Sequence, residues 1–150
     1  MARYLEDYRS GQVYRSGVAR VDVERMKSFA SEFDPQPFHL SEEGARGTVF
    51  TGLAASGWHT AAITMRLVVE GELNPAGGIV GLGFDEFRWP RPVRPGDQLT
   101  VHSEILEVRP STSRPDRGLI KVRNTTTNQA GEAVQIAVGS LLVPSRPRTG

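Results

Sequence analysis

The chain has 150 residues, of which 38% are apolar, so it is long enough for one domain with a hydrophobic core and too short for two comparable domains. Its 18 basic and 17 acidic residues give a net charge of +1 and are spread along the chain, which argues against a nucleic-acid partner. The absence of cysteine excludes disulfides, thiolate nucleophiles and cysteine metal ligands.

The two ends of the chain carry no strong signal. The first seven residues lack the apolar run of a signal peptide, and no stretch approaches the roughly 20 apolar residues that span a bilayer. We therefore expect a cytoplasmic protein with no membrane partner. Because no repeat or low-complexity block divides the chain, residues 1–150 are expected to form a single domain, with residues 144–150 as a flexible tail.

The first predicted helix covers residues 23–33. Its apolar residues recur at helical spacing, at Val23, Met26, Phe29, Ala30 and Phe33. Asp22 is the expected N-cap. Asp34 precedes Pro35, and a residue before proline is disfavoured in the helical region, so the helix should end at or just before Asp34.

A second helix and four strands are predicted for the rest of the chain. Residues 53–69 are apolar on nearly every side, which predicts a helix surrounded by other structure and capped by Gly71. The strands are expected at residues 79–89, 98–108, 118–126 and 132–143, with turns at 95–97 and 128–131. Long strands joined by short turns favour an antiparallel sheet, giving an α+β domain whose sheet wraps around the central helix.

Asp34 and His39 are the first candidate catalytic pair. They lie five positions apart in a segment with prolines at 35 and 37, which are expected to keep the segment out of a helix and to restrict its backbone. A helix C-terminus and burial both disfavour the charged carboxylate, so we expect a raised pKa for Asp34, which suits proton transfer. The alternative is that Asp34 only caps the turn and His39 is an ordinary surface or core residue, and spacing alone does not separate the two.

The entry to the apolar helix holds a second candidate group. The Gly57 amide, in the first turn, is placed to hold a developing oxyanion. Alternatively, Gly52 and Gly57 only relieve crowding where the helix passes under the sheet. Ser56 is not in the Gly-x-Ser-x-Gly setting of a hydrolase nucleophile, so it is expected to orient another group or to cap the helix.

Histidines and glycines elsewhere give weaker signals. His39, His59 and His102 form no short-spacing ligand pair, so solitary histidines are favoured over a metal site. Gly81 and Gly83 lack the strand–loop–helix setting of a dinucleotide fingerprint and indicate a bend in a strand.

Three arginines flank the Trp89-Pro90 pair, at positions 88, 91 and 94. They are candidates for contacting the phosphates of a substrate, and solvated surface arginines are the alternative.

Three separated segments, at residues 29–45, 52–58 and 91–97, together resemble the MaoC-like dehydratases and (R)-specific enoyl-CoA hydratases. In that family an aspartate and a histidine five residues later follow the first long helix, and a glycine-bearing stretch rich in alanine and serine opens the central helix. The order and spacing agree here, and the resemblance covers most of the chain.

The resemblance implies a hotdog fold and a hydration reaction. Asp34 and His39 would hold and activate a water, one of them returning a proton to the α-carbon, while the Gly57 amide binds the oxygen of a CoA- or carrier-linked thioester. No metal or redox cofactor is implied. One departure concerns Gln36, which stands where many members have asparagine in Gly-Asp-x-Asn-Pro and is expected to support the loop or the water.

The resemblance also implies substrate contacts and a homodimer. The remaining candidate substrate-binding residues are Trp58, Phe84, Arg88 and Arg91. Pairing of two sheets edge to edge would complete the thioester tunnel and remove an exposed sheet edge. Two other functions remain open: a hotdog thioesterase that hydrolyses an acyl-CoA, and a non-catalytic module that binds an acyl thioester.

Overall fold

The computed structural model describes residues 1–148 as an antiparallel sheet with one long helix packed against it. In chain order the strands and helices are β1 (Val13–Arg15), β2 (Ala19–Arg20), α1 (Val23–Phe33), α2 (Pro37–Leu40), α3 (Glu42–Ala45), α4 (Gly57–Glu70), β3 (Val80–Arg88), β4 (Gln98–Pro110), β5 (Arg117–Thr127) and β6 (Ala133–Pro144). A short 3-10 helix, Leu5–Asp7, precedes them. The predicted α+β class is confirmed.

The six strands follow the order β1-β4-β5-β6-β3, and β2 also pairs with β4. All of these pairings are antiparallel. The four long strands lie within two residues of their predicted bounds, because their alternation and their turns are local signals. The turn glycines Gly96 and Gly131 have φ of 84° and 76°, a region that glycine enters without strain.

The core lies between the sheet and the helices. Its largest fully buried apolar side chains come from β4, β5, β6, α1 and the segment before α4, and include Met26, Leu53, Leu99, Val101, Ile105, Ile120, Val122, Val134 and Val143. Inward residues alternate along β4, which matches the period of two expected of a strand with one face buried. The pairing of β3 with β6 shifts register between Gly81 and Gly83, so the predicted bend is confirmed.

Helix α1 has the predicted bounds and caps. The Asp22 side chain accepts a hydrogen bond from the Arg25 amide, and Asp34 is the C-cap. The prediction that the two prolines exclude a helix is wrong at Pro37, which is the first residue of α2, the short helix that carries His39. Proline is favoured at this position because its missing amide hydrogen has no helical acceptor and its fixed φ suits the first turn.

Helix α4 begins at Gly57, later than the predicted 53, because the preceding residues are extended. The Ala54 amide donates to the Phe38 carbonyl, and the Ala55 amide donates to the Val93 carbonyl. These bonds to distant segments replace helical bonds that the local sequence favours. At the other end, Gly71 is the C-cap as predicted.

The prediction that α4 is covered on all sides is wrong for the described chain. Thr60, Thr64, Leu67 and Val68 are buried, whereas Trp58, Met65 and Val69 are exposed. The sheet covers only one face of the helix, so the opposite apolar face remains in solvent.

The chain end is ordered further than predicted. Pro144 is the last residue of β6, and the Arg146 guanidinium pairs with the Asp7 carboxylate at 2.6 Å. The predicted flexible tail therefore does not begin at Pro144, and residues 149 and 150 lie outside the described residues. Among residues 1–148, no helix has the length and apolar character needed to cross a membrane.

Candidate active site

The end of α1 positions the Asp34 carboxylate. The Asp34 amide donates to the Ala30 carbonyl at 2.8 Å, and the backbone then leaves the helix with φ of −153° and ψ of 65°. The side chain is 17% exposed, so the carboxylate is largely shielded yet reachable. Its position therefore follows from the helix stop that Pro35 imposes.

The His39 ring faces Asp34 from α2. Its Nδ1 lies 2.7 Å from the Ala54 carbonyl oxygen, and its Nε2 lies 3.4 Å from Asp34 Oδ2. Because a carbonyl only accepts hydrogen bonds, Nδ1 carries the proton, which leaves the lone pair of the neutral ring on Nε2. The ring is 5% exposed and packs against Phe38 and Phe50. The imidazole is thus fixed in both tautomer and direction.

Two side chains hold the Asp34 carboxylate. Ser56 Oγ donates to Oδ2 at 2.7 Å, and Gln36 Nε2 donates to Oδ1 at 2.5 Å. Ser56 is fully buried, and its Oγ also accepts a hydrogen bond from the Trp58 amide as the N-cap of α4. Ser56 thus occupies both of the structural positions expected for it, cap and orienter, and Gln36 contacts the carboxylate directly.

The expected rise in the pKa of Asp34 is wrong. Burial raises this pKa, but the hydrogen bonds from Ser56 and Gln36 lower it below its ordinary value. Hydrogen bonds to a carboxylate favour the ionised form. Asp34 is therefore an anion at neutral pH that accepts hydrogen bonds.

Gly57 brings a backbone amide to the same place. It is the first residue of α4, and no acceptor among the described residues takes up its amide hydrogen. The Trp89 ring packs against its Cα so closely that an added Cβ would lie 2.6 Å from Trp89 Cε2. Glycine is therefore required at this position, and its amide points its partial positive charge outward from the helix start.

These groups line one cavity of about 490 Å³. Of the predicted residues, Asp34, Gln36, His39, Gly57, Trp58 and Arg91 line it. Phe84 and Arg88 do not: Phe84 lies on exposed β3 against Phe87, and Arg88 pairs with Glu86 at 2.6 Å. In the described chain those two residues therefore have no contact with the cavity.

Comparison with known proteins agrees with this geometry. The model of the family described as "MaoC like domain" matches residues 9–129. The chain belongs to the MaoC-like family. Over 98% of this chain and 100% of the other, the structure is similar to the MaoC-like dehydratase from Rhodospirillum rubrum, with 51% identity and a TM-score of 0.95. The predicted family and hotdog fold are confirmed.

Two sequence relatives complete the comparison. The chain is 33% identical to the uncharacterized protein YdeM of Bacillus subtilis (strain 168), over 93% of this chain and 96% of that protein. It is 30% identical to a mesaconyl-CoA hydratase of Cereibacter sphaeroides, over 96% of this chain and 42% of that protein.

Sequence reasoning missed the main support of this MaoC-like site, the Arg94 guanidinium. Its Nη1 donates to the carbonyls of Gly52 and Leu53 at 2.7 and 3.2 Å, and its Nη2 donates to that of Phe50 at 2.5 Å. The arginine thus fixes the segment that leads to Gly57. Because the three carbonyls lie more than 40 residues from Arg94 in the sequence, no local pattern predicts this role. The turn motif at 91–97 indicates only that the segment matters.

The other two histidines of the MaoC-like domain lie apart from the site residues Asp34 and His39. His59 stacks on Phe29 with ring centroids 4.9 Å apart, and His102 Nε2 lies 2.8 Å from Arg15 Nη1. Within residues 1–148, no three histidine, aspartate or glutamate side chains are grouped to hold a metal ion.

Proposed function

We propose that this MaoC-like domain adds water across the double bond of a trans-2-enoyl thioester, or removes it from the 3-hydroxyacyl thioester. The observation that carries the proposal is the convergence of three groups on one cavity: the Asp34 carboxylate, His39 Nε2 and the Gly57 amide. The reaction needs two hydrogen-bond acceptors that position and deprotonate a water, and a hydrogen-bond donor for the carbonyl oxygen of the thioester.

The hydrogen-bond geometry assigns the roles of Asp34 and His39 in this proposal, with the His39 ring neutral and its Nδ1 hydrogen on the Ala54 carbonyl. Both present acceptors, a carboxylate oxygen and an unprotonated Nε2 separated by 3.4 Å, so a water beside them donates one hydrogen to each. His39 takes the proton of this water. The resulting imidazolium is stabilised by the adjacent carboxylate, which itself stays ionised.

The thioester oxygen lies at the Gly57 amide in this proposal. As the water oxygen bonds to the β-carbon, the electron pair of the double bond moves to the carbonyl and forms an enolate. The free amide at the start of α4, with the positive end of the helix dipole behind it, stabilises that oxygen. The His39 imidazolium then returns the proton to the α-carbon, so atoms and charge balance over the cycle.

The groups that carry the reaction do not contact the thiol part of the thioester, which stays bonded throughout, so CoA and acyl-carrier thioesters both fit the proposal. Arg91 lines the cavity and extends to solvent, where its guanidinium is 57% exposed and pairs with Glu132 at 3.3 Å. It is the charged residue best placed to meet a phosphate of the substrate. The similarity to the mesaconyl-CoA hydratase of Cereibacter sphaeroides supports the same reaction class.

A homodimer is part of the proposal. Strand β3 pairs only with β6 among the described strands, and its Val80, Leu82 and Phe84 are exposed, as is Trp58 of α4, whose ring lies 5.9 Å from that of Phe87 on β3. An open strand edge next to exposed apolar side chains favours association with a second copy. Sedimentation of the parent chain tests this: a dimer is expected, and a monomer at micromolar concentration would contradict it.

Hydration is tested with crotonyl-CoA. We expect the enoyl absorbance to fall without release of free thiol, and the rate to drop about a hundredfold or more in Asp34→Asn and in His39→Gln, as for a lost acid–base group. Asp116→Asn and His102→Gln are matched controls that should retain activity, because both residues lie outside the cavity. Release of thiol without a hydrated product would indicate a thioesterase instead, and tight binding without turnover would indicate a binding module.

A further inference from the structure

The inner end of the cavity is formed by Thr60. It lies one turn after Gly57 on the same side of α4, where residues three apart are neighbours. An acyl chain whose carbonyl oxygen meets the Gly57 amide therefore extends toward Thr60. The residue is 1% exposed, and it lines the cavity.

Beyond Thr60, buried polar groups connect the helix to the sheet within one copy of the chain. One turn further, Thr64 Oγ1 lies 2.7 Å from Thr126 Oγ1 on β5, and both residues are buried. This pair bridges the helix and the sheet where a long chain would have to pass. The residues that line the cavity do not include either threonine.

Trp89 forms a fixed side wall. Its Nε1 donates to Gln135 Oε1 at 2.9 Å, its ring packs on Gly57, and its edge meets Trp58 with centroids 5.2 Å apart. Gln135 is 2% exposed, so the acceptor of this bond is buried, although Trp89 itself is 39% exposed. Displacing the indole would therefore leave the buried Gln135 oxygen without this donor.

The buried surface beneath α4 is unsuited to an alkyl chain. Thr60, Thr64, Thr126 and Gln135 are all buried polar residues, and Thr126 is directly paired with Gln135 across β5 and β6. An alkyl group placed against the Thr60 hydroxyl would shield it from water without offering it a hydrogen bond, which costs binding free energy. A hydroxyl or carboxylate oxygen at that point would satisfy it.

We propose that the acyl group of the substrate is short and carries a polar oxygen beyond the β-carbon, which Thr60 binds, and that Trp89, held by Gln135, excludes long alkyl chains. This inference rests on the proposed hydration reaction and names its substrate class.

The length limit is tested by comparing crotonyl-CoA with trans-2-decenoyl-CoA. In the parent chain kcat/KM for crotonyl-CoA should exceed that for the decenoyl thioester about a hundredfold, because each methylene that cannot be accommodated lowers transition-state binding. Trp89→Ala should reduce this ratio at least about tenfold by opening the wall. Equal or better use of decenoyl-CoA by the parent would overturn the inference whether or not the variant folds.

The polar contact is tested with 4-hydroxycrotonyl-CoA. The parent should prefer it to crotonyl-CoA, and Thr60→Val should lower the ratio of kcat/KM for the hydroxylated substrate to kcat/KM for crotonyl-CoA about tenfold, as for one lost hydrogen bond. Thr60→Ser keeps the hydroxyl and should retain the preference. An equal effect of Thr60→Val on both substrates, or no preference in the parent, would refute the contact.

Failure of the two proposals is distinguishable. If the parent hydrates none of these thioesters, the proposed function fails and the inference with it. If the parent hydrates decenoyl-CoA well, or treats the hydroxylated and plain substrates alike, only the inference fails.

Discussion

Ser56 Oγ donates a hydrogen bond to Asp34 Oδ2 at 2.7 Å, although 22 residues separate the two in sequence. The same oxygen accepts the Trp58 amide as the N-cap of α4. One buried hydroxyl therefore links the start of the central helix to the carboxylate at the end of α1. This link positions Asp34 relative to the Gly57 amide, the next residue along the chain.

Ser56→Ala tests the link. Removing the hydroxyl takes away one of the hydrogen bonds that lower the pKa of Asp34, so this pKa should rise toward its ordinary value. Loss of the cap should also cost about 1 kcal/mol of stability. Carboxyl-carbon NMR titration measures the pKa, and hydration of crotonyl-CoA, expected to slow about tenfold with one misoriented group, measures the function.

Asp22→Ala is the matched control for this variant. Asp22 is exposed, lies outside the cavity and caps α1 with its side chain. Its replacement should therefore lower the free energy of unfolding about as much as Ser56→Ala does, while activity is kept. A comparable loss of activity in both variants would show that Ser56 acts only through stability.

Gly57→Ala should disrupt the amide donor. The added Cβ would lie within 2.8 Å of three Trp89 ring atoms, so either the indole or the first turn of α4 must move. We expect overpacking to lower the free energy of unfolding by about 1–3 kcal/mol, and we expect kcat to fall at least about a hundredfold. Gly17→Ala, where an added Cβ meets nothing within 4 Å, is the control for denaturation and kinetics. Normal kcat in Gly57→Ala would argue against the assigned oxyanion donor.

Arg94→Met should loosen the segment that leads to the site. Three carbonyls, of Phe50, Gly52 and Leu53, would lose their donor. Because these partly buried acceptors would be left unpaired, we expect the free energy of unfolding, measured in urea, to fall by about 2–4 kcal/mol. Arg91→Met serves for comparison, because the exposed Arg91 pair with Glu132 should contribute little to stability. Equal unfolding midpoints for the two variants would refute the clamp.

His59 should make the domain sensitive to acid. Burial, together with the charge of Arg25, lowers the pKa of His59 below its ordinary value. The unfolded chain therefore binds a proton more readily than the folded one, so stability is present above the ordinary histidine pKa and falls as the pH drops below it. His59→Phe should flatten this dependence between about pH 7 and 5 and keep the stacking on Phe29.

Neutral-pH stability adds a second readout for the same variant. Among the described side chains, His59 Nδ1 is the buried polar atom that lacks a hydrogen-bond partner, so its replacement by carbon should be neutral or stabilising. His102→Gln, beside Arg15, is the histidine control and should keep the acid-side slope of the parent. An unchanged slope in His59→Phe would assign the slope to other groups.

Features with local causes were predictable from the sequence. Helix α1 has its predicted bounds because an apolar stripe, a capping Asp22 and the Asp34-Pro35 stop are adjacent in the chain. The long strands follow from alternation and turn glycines. The spacing of Asp34 and His39 made them a candidate pair, and the family resemblance rather than the spacing favoured a catalytic role over a cap and an ordinary histidine. The sequence does not predict short α2, because proline generally breaks helices, whereas Pro37 stands at the first helical position, where proline is favoured.

Features that depend on distant partners were decided only by the tertiary structure. Helix α4 starts at Gly57 rather than at residue 53 because the amides of Ala54 and Ala55 donate to the carbonyls of remote residues. The pKa of Asp34 is lowered rather than raised because Ser56 donates a hydrogen bond to it across the fold. The sequence by itself determined which groups of the chain are able to move a proton. The tertiary structure decided their charge, their tautomer and the length of the cavity, because hydrogen bonds and packing between distant segments determine those properties.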